Sequence, residues 1–465
     1  MPLGTGSFWQ RVRPEQLFVG SFLLIIVLGT LGLKLIPGMF KTDPMNWLDA
    51  IFTITSAVCV TGLVVENTAQ TFTIRGQAWI LLCMQLGGLG VIVLSSFIIL
   101  ALGGRMGVRS EMLVSSATDV APKIKPKKFV RDVVIFALTI EAIGAILLYI
   151  LWRPWQANHG MPHGESIWHA VFQSVSAFCN AGFSSYTNGL IDYRHSGASL
   201  LVLAGLIILG GFGFLSMEEL YRRIRNPSVV RRLSLNTKLS ITMLLILVLG
   251  GWLLLGIFEW SNPATLHDPT MTTWDRLVNA LFMSVSARTA GFNTFDFEHV
   301  RATTSFMTII LMTIGGAPGS TAGGLKTTTI AIVLLLALSR LRRQSQPTIW
   351  GRTIPEETTQ RAMGLVVFSF VLTILAVMLL LSFEPAMESR DSTRLLPLLF
   401  ETVSAFNTVG LSLNVTTELS DSARGLMILL MFIGRVGPLT VAASIALANH
   451  STKRFRYAHE DVVVG

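Results

Sequence analysis

Four segments of this sequence repeat one arrangement of residues: FTITSAVCVTGL, FQSVSAFCNAGF, FMSVSARTAGF and FETVSAFNTVGL. Each opens on phenylalanine (Phe52, Phe172, Phe282, Phe400) and places Ser-Ala four residues on, at Ser56, Ser176, Ser286 and Ser404. Each closes on a glycine followed by Leu or Phe: Gly62, Gly182, Gly291 and Gly410, separated by 120, 109 and 119 residues. A loop that aims successive carbonyl oxygens at an axis needs unusual dihedrals, which glycine adopts without a Cβ penalty. Four such loops would present rings of carbonyls that replace the hydration shell of a cation. The chemistry suggested is ion coordination by backbone oxygen.

A second column of glycines follows each first one by 24 to 28 residues: LGGLG at 86–90, LGGFG at 209–213, IGGAPG at 314–319 and IGRVG at 433–437. Two of these runs carry further information. GGAPGSTAGGLKTTT (315–329) packs five glycines and Pro318 into ten residues, and no regular helix survives that composition, at about 1 kcal/mol per glycine and about 3 for proline. The stretch is expected to line a cavity or be buried in protein, as a gate below the carbonyl rings. Its residues Gly315, Gly316, Gly319, Gly323 and Gly324 are the gate candidates, with Lys326 at the cytoplasmic end and Thr327 to Thr329 restarting the helix. Arg435 stands where the other repeats have Gly88, Gly211 and Gly316. A mid-span charge turns towards a cavity or a partner, so Arg435 is expected to face the gating loop and donate to its carbonyls. The alternative is a pair with a buried carboxylate such as Glu141.

The elements that must position these residues follow from composition. Of 465 residues, 51% are hydrophobic and 14% charged, against roughly 25% charge in a soluble domain. Such a chain is solvated by lipid. Cys59, Cys83 and Cys179 have no metal spacing and imply no disulfide framework. Apolar segments long enough to cross a bilayer run near 17–36, 79–103, 130–152, 198–221, 238–258, 303–339, 362–383 and 424–448. Shorter ones near 45–58, 166–179, 274–287 and 394–407 suit re-entrant half-helices. The fold class expected is an all-α integral membrane protein. It has four pseudo-fourfold repeats of outer helix, pore half-helix, filter loop and inner helix, the third inner helix broken. The repeats divide the chain at 1–110, 111–235, 236–350 (with the gating loop 315–329) and 351–465.

Of 36 Lys and Arg, 23 fall in the N-terminus, the loops near 104–131, 222–238 and 340–361, and the C-terminal tail. Lys123, Lys125, Lys127 and Lys128, and Arg222, Arg223, Arg225, Arg231 and Arg232, cluster beside span ends. Positive charge there resists translocation, so both termini are expected in the cytoplasm with the half-helix loops open to the outside. The net charge of +9 thus reports topology, and no nucleic-acid partner is expected.

With these residues the chain resembles the Trk/Ktr/HKT superfamily of potassium transporters over essentially its whole length. It is similar to the KtrB-like membrane subunits more than to TrkH, since the first span leads straight into the first half-helix. The resemblance implies a filter at Val60, Thr61 and Gly62; Asn180, Ala181 and Gly182; Thr289, Ala290 and Gly291; and Thr408, Val409 and Gly410. It implies potassium as substrate at that filter only, sodium as a coupling or activating ion, and no covalently bound cofactor. Glycine at position 62, where sodium-transporting plant relatives carry serine, argues for potassium. One glycine per loop implies weaker discrimination against sodium than in a potassium channel. The resemblance also implies a gating role for the intramembrane loop and Arg435, a homodimer in the bacterial cytoplasmic membrane among its lipids, and a cytoplasmic ring of KtrA-type nucleotide-binding subunits.

Other features weigh less. Gly319 to Thr327 reads close to a phosphate-binding loop but has an extra residue before Lys326 and apolar flanks, so nucleotide binding is not expected. Glu66, Glu298 and Glu401 are candidates for the outer mouth or for solvated loops. His159 and His163 fall in a loop without further metal ligands, Trp152 and Trp155 read as interfacial anchors, and Cys59 and Cys179 as packing residues. Alternatives are a TrkH-like or sodium-preferring transporter and, from another class, a membrane-embedded enzyme. Against an enzyme, there are no paired intramembrane carboxylates, no His-Glu-x-x-His and no Ser/His couple at matching depth.

Overall fold

The structure is a computed structural model that describes residues 14–90, 126–225, 232–384 and 395–437, Thr42 and Ser345 excepted. Lys123, Lys125, Arg231, positions 91–103 of the second apolar segment and the tail beyond 437 lie outside the described residues, as do the side chains of Lys127 and Lys128.

The chain is helical. A first group holds α1 (Pro14–Leu35), α2 (Trp47–Val58), the single turn α3 (Thr68–Thr71) and α4 (Ile74–Gly88). A second holds α5 (Pro126–Asn158), α6 (His163–Cys179), α7 (Gly197–Gly211) and α8 (Phe214–Arg225). A third holds α9 (Leu235–Glu259), α10 (Thr273–Ser286), α11 (Ala302–Thr313) and α12 (Thr327–Leu341). After a small hairpin of β1 (Thr348–Ile349) and β2 (Arg352–Thr353) come α13 (Glu356–Phe383), α14 (Leu395–Phe406) and α15 (Asp421–Val436).

Local sequence sets many of these boundaries. Asn46 caps α2 by accepting from Asp49 N at 2.7 Å, and Thr272 with Asp275 closes a reciprocal capping box at the start of α10. Ser234 and Ser420 cap α9 and α15 through Thr237 N and Ala423 N.

Four described helices, α1, α5, α9 and α13, are long and apolar enough to cross a membrane, and α7 with α8 is a fifth candidate if the bent pair is one span. Most of the surface of those four helices is not covered by protein: Ile150, Leu253 and Met378, for example, are exposed. In hydrocarbon that apolar exposure carries no penalty, because lipid tails are as apolar as leucine.

Two of the expected spans are interrupted. The segment near 198–221 is not one straight helix. It breaks at Phe212–Gly213, and α8 leaves α7 at 103°. The segment near 303–339 divides into the twelve residues of α11 and the fifteen of α12, each too short to cross alone.

Packing between groups runs in a closed order. The helix that follows the loop glycine of each group lies on the half-helix of the next: α4 on α6, α7 on α10, α11 on α14, and α15 back on α2. Arg424 on α15 donates to Asp49 on α2 at 2.7 Å across the seam between the fourth and first groups. Glycine makes three of the inner contacts close. A Cβ added at Gly87, Gly210 or Gly434 would stand 1.7–1.9 Å from the carbonyl oxygen of Val58, Phe178 or Phe406, each in the half-helix of its own group. Phe52, Phe172, Phe282 and Phe400 are all buried in the core between these layers.

Candidate functional site

Each half-helix ends in the same backbone turn. Val60, Asn180, Thr289 and Thr408 have positive φ of 58°, 58°, 75° and 51°, and the glycine two residues later is positive again, at 93°, 70°, 75° and 92°. An L residue in this region costs about 1–2 kcal/mol, so the surroundings must hold it. The repeated serine does so. Its carbonyl accepts from Thr61 N, Ala181 N and Val409 N at 2.8 Å in three loops, and from Gly291 N at 3.2 Å in the shorter third one. Its hydroxyl accepts from Gly62 N and Gly410 N at 3.0 Å in the first and fourth loops. In the second and third it donates to Phe183 O and Phe292 O, at 2.7 and 2.5 Å. Sequence inspection finds the serine column but not this work.

The four loops then meet. A Cβ on Gly62 would lie 2.6 Å from Ala181 O; on Gly182, 2.9 Å from Ala290 O; on Gly291, 2.3 Å from Val409 O; on Gly410, 2.1 Å from Thr61 O. The order closes on itself. Every glycine faces the carbonyl that precedes the next glycine, so a side chain at any of the four would push a neighbouring loop's oxygen aside. Val60, Thr61, Asn180, Ala181, Thr289, Ala290, Thr408 and Val409 are all buried around this meeting point. On one side of it lies a cavity of about 300 Å³ lined by the four glycines together with Asn67, Asp296, Ser412 and Asn414.

On the other side, residues 314–326 connect α11 to α12. Gly315 N donates to Leu325 O at 2.8 Å and Thr327 N to Gly316 O at 3.0 Å, which closes the ends of the loop. Its middle is clipped to the break between α7 and α8. Ala317 N donates to Gly211 O at 2.9 Å, Thr321 N to Gly210 O at 3.2 Å, and Phe214 N to Gly319 O at 3.1 Å. Gly323 lies against Thr408, where an added Cβ would stand 1.9 Å from Oγ1, and Gly324 lies against Asn407. The backbone groups that both interruptions release are thus paired with one another, as a low-dielectric interior requires.

Arg435 touches this loop. Its two terminal nitrogens donate to Thr321 O and to Gly87 O, so one guanidinium bridges the loop and the end of α4. Glu141 is elsewhere engaged, accepting from Gln85 Nε2 at 3.0 Å, which removes the pairing with Arg435 weighed from the sequence. Lys326 donates to Ala322 O at 2.7 Å inside the loop. Within Gly319–Thr327 the amides of Thr321 and Thr327 are already bonded, to Gly210 O and Gly316 O, which leaves neither for a phosphate.

Several lesser expectations change. Glu401 is fully buried and accepts from Ser412 Oγ, Leu413 N and Thr416 Oγ1 at 2.5, 3.0 and 2.7 Å. It braces the segment after the fourth loop and lines no open surface. Glu66 is exposed, and Glu298 meets Asn414 at 3.3 Å. Trp152 is buried against Tyr193, so of the two expected anchors only Trp155 is exposed. His159 and His163 bond Trp155 O and Tyr149 Oη, and no metal-holding cluster of His, Cys, Asp or Glu occurs among the described residues. Sequence alone did not point to Asp296 at this cavity or to the elbow at Gly210–Phe214.

The family described as "TrkH: Cation transport protein" matches residues 20–457. The chain is 35% identical over 457 residues to the Ktr system potassium uptake protein B of Bacillus subtilis, covering 98% of each chain. It is 33% identical to the potassium/sodium uptake protein NtpJ of Enterococcus hirae, again covering 98% of each. The crystal structure of the potassium transporter TrkH from Vibrio parahaemolyticus superposes with a TM-score of 0.71 at 18% identity, over 94% of this chain and 86% of that one. With such coverage by a family of transporters rather than enzymes, this chain is a multi-pass membrane protein that belongs to the TrkH family of cation transport proteins.

Proposed function

We propose that this chain carries potassium into a bacterial cell through the axis on which its four glycine loops meet. The observation that carries this reading is the closed order of contacts from Gly62 to Gly182, Gly291, Gly410 and back. Four backbone turns of one geometry around an axis give an ion a shell of carbonyl oxygens in place of water. The filter then comprises Val60 to Gly62, Asn180 to Gly182, Thr289 to Gly291 and Thr408 to Gly410. The groups form a pseudo-fourfold ring, the third broken by the loop. Potassium is favoured by the name of the Bacillus subtilis relative and by glycine at position 62. The ion is the substrate, and no resident cofactor takes part.

The loop 314–326 is the gate in this reading, with Gly315, Gly316, Gly319, Gly323, Gly324 and Lys326 forming it and Arg435 holding it. Its contact with Thr408 and Asn407 lies directly beneath one filter loop, which supports that role. An inside-negative potential contributes about 2.3 kcal/mol per charge per 100 mV, so uptake needs no hydrolysis in this chain. The asymmetry of Lys and Arg puts both termini and the loop side of the filter towards the cytoplasm. There a KtrA-type nucleotide-binding ring would dock on a homodimer and set the gate. The name of the Enterococcus relative favours a second reading, in which sodium shares the path or assists potassium.

Flux of potassium and sodium into liposomes holding the purified chain tests this. Wild type is expected to prefer potassium, Gly62→Ser to lose most of that preference, and Arg435→Ala to conduct about tenfold faster, an effect of roughly 1.4 kcal/mol on the barrier. If sodium competes with potassium at equal concentration in wild type, the second reading holds. If no cation moves in any variant even with the partner ring added, transport through this axis is wrong.

A further inference from the structure

The elbow between α7 and α8 joins the proposed gate to a helix whose far end is both basic and apolar. α8 reads FLSMEELYRRIR, and its last turn is basic, with Arg222, Arg223 and Arg225. Tyr221 and Ile224 on the same turn are 58% and 74% exposed. Large apolar side chains beside arginine are the composition of a helix lying in a membrane interface.

Depth along the membrane normal is fixed by bonds to a spanning helix. Glu219 accepts from Ser234 N and Ser234 Oγ at 2.5 and 2.7 Å, and also from Thr237 Oγ1, in the first turn of α9. α9 is one of the four helices long enough to cross, so α8 lies where α9 enters the bilayer. A turn later, Lys238 stands 5.6 Å over the ring of Trp350, itself half-exposed at the tip of the hairpin. Tryptophan and lysine side by side are typical of the headgroup level. The bend of 103° then turns α8 along that level, because a helix leaving the hydrocarbon at a right angle runs with the surface.

We propose that α8 binds anionic phospholipid headgroups and that this binding holds the loop 314–326 in place. The cationic ends of Arg222 and Arg225 would meet lipid phosphates while Ile224 and Tyr221 enter the acyl boundary. Both arginines are exposed, with Arg222 on Glu218 and Arg225 on Tyr221 Oη. At the other end of α8, Phe214 N bonds Gly319 O, and Gly213 (φ 89°) packs so closely that a Cβ there would lie 2.5 Å from Pro318 O. A ligand that favours this position of α8 therefore favours the clipped loop, by the differential affinity that any population shift requires. The coupling half rests on the reading of 314–326 as a gate; the lipid half does not.

The test uses the full chain with Ile224→Cys labelled by an environment-sensitive fluorophore, since Cys59, Cys83 and Cys179 are buried. In liposomes of phosphatidylcholine with and without phosphatidylglycerol, lipid of one type at a time carries brominated chains. Brominated phosphatidylglycerol is expected to quench the label more strongly than its neutral counterpart, and Arg222→Gln with Arg225→Gln to abolish the difference. Potassium flux through wild type is expected to fall about fivefold as the anionic fraction rises, within the usual range of allosteric coupling, and to stay level in the double variant. Equal quenching by both lipids overturns the lipid site, as does protection of the label only by an added soluble protein. Preferential quenching with unchanged flux overturns the coupling. A chain that conducts no cation in any liposome refutes the transport reading and the coupling with it, and quenching still decides the lipid site.

Discussion

Two inner segments of this molecule are interrupted at corresponding places, and they use the interruption differently. In the second group the break is two residues, Phe212 and Gly213, and the helix resumes at once at 103°. In the third it is the thirteen-residue loop 314–326. The first glycine of the pair shows the difference best. Gly210 lies against Phe178 O, the end of its own half-helix, as Gly87 and Gly434 do in their groups. Gly315 instead lies against Gly323 O, inside the loop that follows it. In three groups the glycine seats the inner helix on the half-helix; in the third it seats a loop on itself. A helix seated on a half-helix is scaffold, whereas a loop closed by its own hydrogen bonds and a few clips suits the gate proposed for it.

Gly210→Ala breaks this comparison most severely if it is right. A methyl group 1.9 Å from a backbone oxygen has no flexible neighbour to displace, and the loss is expected to exceed about 4 kcal/mol. The variant should fail to elute as a single species in detergent. Gly315→Ala meets only loop carbonyls, Gly323 O at 2.3 Å and Leu325 O at 3.1 Å, so it should purify normally and conduct faster. Equal behaviour of the two variants would erase the distinction between scaffold and gate.

A smaller effect is expected of Gly213→Ala, which forces an L residue to φ 89° and a Cβ onto Pro318 O. Strain of this kind costs about 1–3 kcal/mol, and it falls on the clip rather than on the core. Flux should rise, with thermal stability lowered by a few degrees in a melting curve. Were flux unchanged, the elbow would not restrain the loop.

The smallest effect lies outside the membrane, in the loop between α9 and α10. The hydroxyl and amide of Thr270 hold the Asp268 carboxyl below its ordinary range, with Arg194 2.8 Å away as a lesser cause. A lowered carboxylate contributes stability above its unfolded pKa and loses it as pH falls through the folded value. Asp268→Asn should therefore melt slightly below wild type at neutral pH. The gap should close towards pH ~3, below the ordinary aspartate pKa of ~3.9, and flux should not change.

How much of this was legible in the residues differs between the same two regions. The loop announces itself, because five glycines and a proline in ten residues exclude a helix by local propensity alone. The elbow does not. LGGFG looks like the other second-column runs, and an apolar segment of that length reads as one crossing. What bends it is a set of hydrogen bonds to Ala317, Gly319 and Thr321, more than 100 residues away. Burial misled in a related way: Trp152 and Glu401 sit in sequence contexts that suit an interface and a mouth, yet Trp152 packs against Tyr186 and Tyr193, and Glu401 is enclosed with Ser412 and Thr416.

Sequence alone determined the lipid-solvated helical class, the four matched loops and the place of Arg435 in the second glycine column. These follow from composition, periodicity and conformational cost, which act over a few residues at a time. Tertiary structure decided which carbonyl each loop glycine faces, that the repeated serine holds the turn, that Arg435 spans Thr321 O and Gly87 O, and that the two interruptions satisfy one another. Those outcomes depend on backbone groups that have no partner within their own segment. In a bilayer such groups must find one elsewhere in the protein, and only the closing of the four groups on each other brings it within reach.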